Sequence, residues 1–144
     1  MAKLMRALLL AMALAAGTAA AAEPAVTAQD FAEIRVVINR QLDAFRRQDA
    51  KSAFSLASPA VQQAFGTPER FLDAVRTSYR PMVRPASVTF LEPVVFGADT
   101  VQPVRLIEQS GAVWLAYYAM QRQKDGSWRA NGCHLAQPVK TVPT

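Results

Sequence analysis

The amino-acid sequence predicts an α+β domain in which N-terminal helices pack on one face of a curved, four-stranded antiparallel meander. Three observations carry that expectation. Apolar residues recur at helical spacing from Phe31 to Tyr79, they alternate with period two beyond Arg84-Pro85, and Ser110-Gly111 and Asp125-Gly126 punctuate the alternating part as hairpin turns. Helices first and strands afterwards describe a layered α+β architecture, with the helices on one side of the sheet.

Thr27, with Asp30 three residues on, forms an N-cap pattern, and Phe31, Ile34, Ile38, Leu42 and Phe45 then give a first helix running to about Arg47. Its outer face carries Arg35, Arg40, Asp43 and Arg47, an ordinary solvated surface. Asp49 caps a second, short helix bearing Ala53, Phe54 and Leu56. Ser58-Pro59 opens a third, which points Val61 and Phe65 inward and stops at Gly66. Thr67-Pro68-Glu69 opens a fourth, with Phe71, Leu72, Val75 and Tyr79 as its stripe, ending by Arg80 because Pro81 follows.

The first predicted strand places Val88, Phe90, Val94 and Phe96 on one side. Thr100 to Gln109 is the second, with Pro103 marking an edge or a bulge. A two-residue loop at Ser110-Gly111 leads into a long strand from Ala112 to Gln123, and Asp125-Gly126 turns the chain into a last strand from Trp128 to Leu135. The long strand presents Trp114, Ala116, Tyr118 and Met120 on one face and Val113, Leu115, Tyr117 and Ala119 on the other. Both faces are apolar, and a helical layer covers one. The open face is therefore expected to meet a second copy of the chain in a homodimer.

Composition and the N-terminus set the cellular context. The chain has 144 residues, enough for one domain. Residues 1–22 have the layout of a secretory signal peptide: a basic start at Lys3 and Arg6, an apolar run from Ala7 to Ala16, then small residues to Ala22 before Glu23-Pro24. Cleavage is expected after Ala22, releasing a single domain over residues 23–136 with a tail at 137–144, and the destination is the periplasm. The apolar run is too short to span a bilayer, so no integral membrane segment is expected in the mature chain. The formal charge of +5 becomes +3 when Lys3 and Arg6 are removed, and the remaining bases are dispersed, which argues against a nucleic-acid partner. One cysteine and one histidine fall short of a metal-ligand set, and no glycine-rich phosphate loop is present, so no cofactor or metal is expected.

The order and spacing of several short strings resemble a known family. These are Ile38-Asn39-Arg40-Gln41-Leu42-Asp43-Ala44-Phe45, Ala53-Phe54 with Ala57-Ser58-Pro59, Phe65 and Phe71, Tyr79 with Pro81, Asp125-Gly126-Ser127-Trp128, and Gly132-Cys133 with Leu135. Together, over about residues 31 to 136, they resemble domain of unknown function 4864, a family of uncharacterised exported proteobacterial proteins. The helix-then-curved-sheet order also looks like the nuclear transport factor 2 superfamily, whose cone-shaped domains include both enzymes and non-catalytic binding or association modules. That resemblance implies a cavity inside the cone.

Few side chains are candidates for chemistry. Glu92 falls on the predicted inward side of the first strand, where a general base could sit, although Pro93 next to it favours a bulge. His134 is an acid/base or ligand-binding candidate by residue type, on the predicted face of Trp128, Ala130 and Gly132. Cys133 faces oppositely to His134, so the two cannot act as one unit, and its expected role is that of a small buried hydrophobe. Trp114 and Tyr118 are candidate cavity or interface residues. Arg80 and Arg84, following Arg76 at four-residue intervals, are candidates for collecting an anion, although Arg76 and Arg80 also complement a helix C-terminus. The favoured function is a non-catalytic module that binds a small apolar ligand or another protein. The alternative is an acid/base enzyme using Glu92 or His134.

Overall fold

Thr27 opens the helical half in the way its neighbour three residues on predicts. In the computed structural model, which describes residues 24–138, the Thr27 hydroxyl accepts from the Asp30 N–H at 3.2 Å while the Asp30 carboxylate accepts from the Thr27 N–H at 2.8 Å. The expected signal peptide and residues 139–144 of the tail lie outside the described residues. Helix α1 spans Ala28–Arg46 and buries Ile34, Ile38, Leu42 and Phe45. Asp49 caps α2 (Ala50–Ser55), Ser58 caps α3 (Pro59–Phe65) and Thr67 caps α4 (Pro68–Ser78), each side chain accepting from a backbone N–H three residues on. A 3-10 turn, Arg80–Met82, follows α4 and buries Pro81 and Met82.

The sheet has five strands, β1 (Ser87–Phe90), β2 (Val94–Phe96), β3 (Asp99–Ile107), β4 (Val113–Arg122) and β5 (Trp128–Ala136), all paired antiparallel. The order is β1-β3-β4-β5, with β2 also pairing β3. The α+β class and the meander order hold, but the expected first strand is two strands. Phe90 pairs with Val104 and Val94 with Val101, so residues 91–93 stand opposite only two residues of β3. Pro93 has no N–H to give the ladder, and the Gln102 side-chain amide takes the Leu91 carbonyl at 2.8 Å instead. The extra residue reverses the alternation. Val88 and Phe90 face the helices, whereas Val94 and Phe96 face the other way, contrary to the single-sided pattern expected from the sequence.

A second bulge corrects the last strand. Ala119 pairs with Gly132 but Met120 pairs with Ala130, which leaves Asn131 unpaired. Trp128 and Ala130 consequently lie on the helix-covered face with Cys133 and Leu135, and His134, opposite Tyr117, lies on the open face. The hairpin loops also differ from expectation. Each is three residues long, closed by Glu108 donating to Ala112 at 2.9 Å and by Gln123 donating to Ser127 at 2.7 Å. Gly111 and Gly126 fill their third positions at φ 87° and 85°, a left-handed conformation that disfavours a side chain.

Two tethers fix the helices to the sheet. The segment joining α2 to α3 lies along the β5 edge, where Ser58 N–H donates to the Ala130 carbonyl at 2.8 Å and Ala130 N–H donates to the Leu56 carbonyl at 2.9 Å. At the other end, Asp30 accepts from the Trp128 indole at 3.1 Å and from Arg122 at 2.8 Å. The core lies between these tethers, where Ile34, Ile38 and Phe45 of α1 belong to the same buried cluster as Val104, Leu106, Ala116 and Met120 of the sheet.

Candidate functional site

Between α1, α3, α4 and the covered face of the sheet lies a cavity of about 90 Å³. Phe71 anchors its helical wall, with Phe45, Phe54 and Phe65 around it at ring-centre distances of 5.8, 5.6 and 5.3 Å. These edge-to-face and tilted contacts order the wall. Val61, Ala74, Val75, Tyr79 and Met82 complete it, and β4 and β5 contribute Tyr118, Ala130, Gly132 and Cys133 as the floor. Gln41 also lines the space, although its amide nitrogen is occupied by the Ala53 carbonyl at 3.1 Å.

A polar row crosses the covered face of the sheet beside the cavity. Gln102, Tyr118 and Cys133 follow one another across β3, β4 and β5 in register. The Tyr118 hydroxyl and the Gln102 carbonyl oxygen are buried without a hydrogen-bond partner among the described residues. Burial, with the neighbouring Cys133 second, holds the Tyr118 phenol well above its ordinary range, and burial pushes the Cys133 thiol up to about 12. At neutral pH both are therefore protonated. Cys133 is a poor nucleophile there, and the Tyr118 hydroxyl keeps its proton.

The structure brings together few of the candidates. Tyr118 lines the cavity. Glu92 is exposed at the break between β1 and β2, away from the inward position expected of it, because the bulge rotates that stretch outward. His134 is exposed on the open face, again because of a bulge. Neither reaches the cavity lining. Trp114 is half-buried, donates its indole N–H to Glu108 at 3.0 Å and borders a separate shallow cleft with Thr77, Arg80 and Leu135. Arg76, Arg80 and Arg84 do converge, on an open cleft of about 490 Å³ shared with Glu108, Gln109 and Ser110. Arg80 and Arg84 make no ion pair among the described residues, whereas Arg76 bonds Gln48 and lies 3.8 Å from Asp73. Among the described residues no group of three or more His, Cys, Asp or Glu is placed to hold a metal, and no helix is long and apolar enough to cross a membrane.

Sequence reasoning missed Gln41 and Gln102. Gln41 had a signal, since it stands three residues after Ile38 and four before Phe45, on the apolar stripe of α1. Gln102 had a weaker one, alternating with Val104 and Leu106 on the inward side of β3.

A helical layer over one face of an open antiparallel sheet, with an apolar space between them, defines an α+β domain. The chain belongs to the family described as Domain of unknown function (DUF4864), whose model matches residues 27–142. It is similar to the crystal structure of an NTF-2 like protein of unknown function from Burkholderia xenovorans LB400. The identity is 13% and the TM-score 0.48, over 78% of this chain and 89% of that one. No curated protein matches the chain.

Proposed function

We propose that this protein is an exported, periplasmic module that binds a small apolar molecule in its internal cavity and assembles as a homodimer through the open sheet face. The observation that carries binding is the make-up of the cavity: four phenylalanines build or back its wall, and its floor is closed by a protonated tyrosine and a protonated cysteine. An apolar space with one or two convergent polar groups is what small-molecule recognition uses. Acid/base catalysis by Glu92 or His134 is the weaker reading, because both side chains lie outside that lining. Export is supported by the layout of residues 1–22. Dimerisation is supported by the open face, where Val94 and Phe96 remain 54% and 78% exposed beside half-buried Val101, Leu115 and Tyr117.

Native mass spectrometry of the protein purified gently from its own host's envelope tests these together. The expected species is a dimer of chains beginning at Glu23 and carrying a retained apolar molecule. The substitution Ala74→Leu, which extends the cavity wall inward, is expected to strip that molecule. A ligand-free protein that also takes up no small apolar probe overturns the binding reading, a monomer overturns the dimer, and a chain retaining Met1 overturns export.

A further inference from the structure

The cleft at the end of α4 holds positive charge that the fold leaves unpaired. Arg76, Arg80, Arg84 and Glu108 help to line a space of about 490 Å³, within the roughly 300–1,000 Å³ that small-molecule sites occupy. Arg76 is engaged by Gln48 and Asp73 and complements the helix C-terminus. Arg80 and Arg84 make no ion pair among the described residues, and Glu108, the carboxylate that shares the cleft, accepts instead from the Trp114 indole at 3.0 Å. Both arginines sit on fixed backbone. Pro81 and Met82 between them are buried, and Val83 N–H donates to the Arg80 carbonyl at 3.1 Å. Beyond Arg84, Ala86 N–H donates to the Ile107 carbonyl at 2.7 Å and ties the segment to the end of β3, beside Glu108.

The shallow cleft at Trp114 adjoins this one, because Arg80, Pro81 and Glu108 line both, and Trp114 and Leu135 give it an apolar side. We infer that the joined clefts bind a small carboxylate monoanion with a flat apolar body. Its carboxylate is received by Arg80 and Arg84, and its body lies across Pro81 onto Trp114 and Leu135. Three features define that class. The guanidiniums of Arg80 and Arg84 against the Glu108 carboxylate leave a single positive charge to be met, which suits a monoanion. A guanidinium fork takes a planar carboxylate through two parallel N–H donors, so the head group matches in shape as well as in charge. The Trp114 indole N–H is spent on Glu108, so what Trp114 offers a ligand is the apolar surface of its ring. No lining residue is shared with the interior cavity, so this site is independent of whatever occupies that space.

Three probes separate the charge from the apolar contact: 2-naphthoate, its neutral isostere 2-naphthamide, and inorganic phosphate, an anion with no apolar body. Each is titrated at low ionic strength into the protein and into Arg80→Gln, with the two tryptophan indole N–H resonances as the readout. The Trp114 resonance is expected to move and that of Trp128, held by Asp30, to stay. The expected result is that 2-naphthoate binds about tenfold more tightly than either other probe, and that Arg80→Gln, a change at an exposed position, removes its advantage over 2-naphthamide. An unmoved Trp128 resonance in the variant certifies its fold. If 2-naphthamide binds the parent as tightly as 2-naphthoate, or Arg80→Gln keeps the advantage, the role of the arginines is overturned. If phosphate binds as tightly as 2-naphthoate, the apolar half is overturned and a plain anion site is left. A Trp114 resonance that no probe moves overturns the site as a whole.

Discussion

Gln102 and Tyr118 stand directly opposite one another on the covered face of β3 and β4, and each keeps a buried polar atom that no described protein group meets. They are not equivalent. The Gln102 amide holds the Leu91 and Pro103 carbonyls and so secures the break between β1 and β2, whereas the Tyr118 hydroxyl secures nothing in the fold. Deleting the hydroxyl in Tyr118→Phe is therefore expected to leave stability unchanged or raise it by about 1 kcal/mol. Gln102→Leu leaves the half-buried Leu91 carbonyl without its donor, while the Pro103 carbonyl keeps the Leu91 N–H at 3.0 Å, and is expected to cost about 1 kcal/mol. Urea unfolding of the two variants checks the contrast, and a Tyr118→Phe loss as large as that of Gln102→Leu would show that the hydroxyl has a structural partner.

Asp30 joins three elements through one carboxylate. It completes the cap of α1 with Thr27, accepts from the Trp128 indole and pairs with Arg122, whose guanidinium also sits 4.9 Å over the Trp128 ring. Its pKa is held below the ordinary carboxylate value, first by the Thr27 backbone N–H, against an opposing effect of burial, and further by the Thr27 hydroxyl, Trp128 and Arg122. A lowered folded pKa means that the stabilisation is fully present above about pH 4 and is lost as the pH falls below it, through the folded value. Asp30→Ala is expected to cost about 2 kcal/mol at neutral pH and to flatten the acid limb of the stability profile. Thermal unfolding of parent and variant between pH 2 and pH 7 measures both.

The helical half was legible because its signals are local. Thr27, Asp49, Ser58 and Thr67 each needed only their own neighbours to declare a cap, and all four helices start where those residues say. The sheet was legible in order but not in face. A bulge inserts one residue and inverts the alternation beyond it, so Val94 and Phe96 exchanged sides at Glu92-Pro93 and His134 was separated from Trp128 at Asn131. Only Pro93 marked the first bulge, and the second had its signal in Gly132, a glycine inside the strand at φ 147° beside the unpaired Asn131. The cavity itself depends on the phenylalanines of α1, α2, α3 and α4 meeting around Phe71, a convergence that spacing along the chain does not encode.

Cys133 tests how dry the cavity is. Its thiol is pushed up to about 12 by burial, against an ordinary value of 9.0, so the folded protein keeps a proton that the unfolded chain releases between those values. Stability is then fully present below about pH 9 and declines as the pH rises through the folded value. Cys133→Ala is expected to lessen the part of that decline that begins near pH 9, leaving the part that belongs to Tyr118, whose phenol is also raised. In the native parent a disulfide reagent at pH 8 should label the half-buried Cys133, whose thiol is held almost wholly protonated, much more slowly than it does in urea. Immediate labelling of the native protein would mean that the thiol meets water.

The tip of the β2–β3 hairpin offers the sharpest test of the open face. Phe96 is 78% exposed and Val94 54%, both on the side away from the helices, next to Val101 and, across β3, Ala119 of β4. A phenylalanine so exposed contributes little to the fold of one chain, so replacing it should change monomer stability by less than about 0.5 kcal/mol. If it packs against its counterpart in a symmetric dimer, a charge introduced there is duplicated across the two-fold axis and repels itself. Phe96→Glu is therefore expected to convert the dimer to monomers in sedimentation equilibrium while leaving the unfolding midpoint of dilute protein unchanged. A parent protein that sediments as a monomer removes the basis for the dimer. A variant that remains dimeric moves the interface off this hairpin and onto Leu115 and Tyr117 at the centre of the sheet.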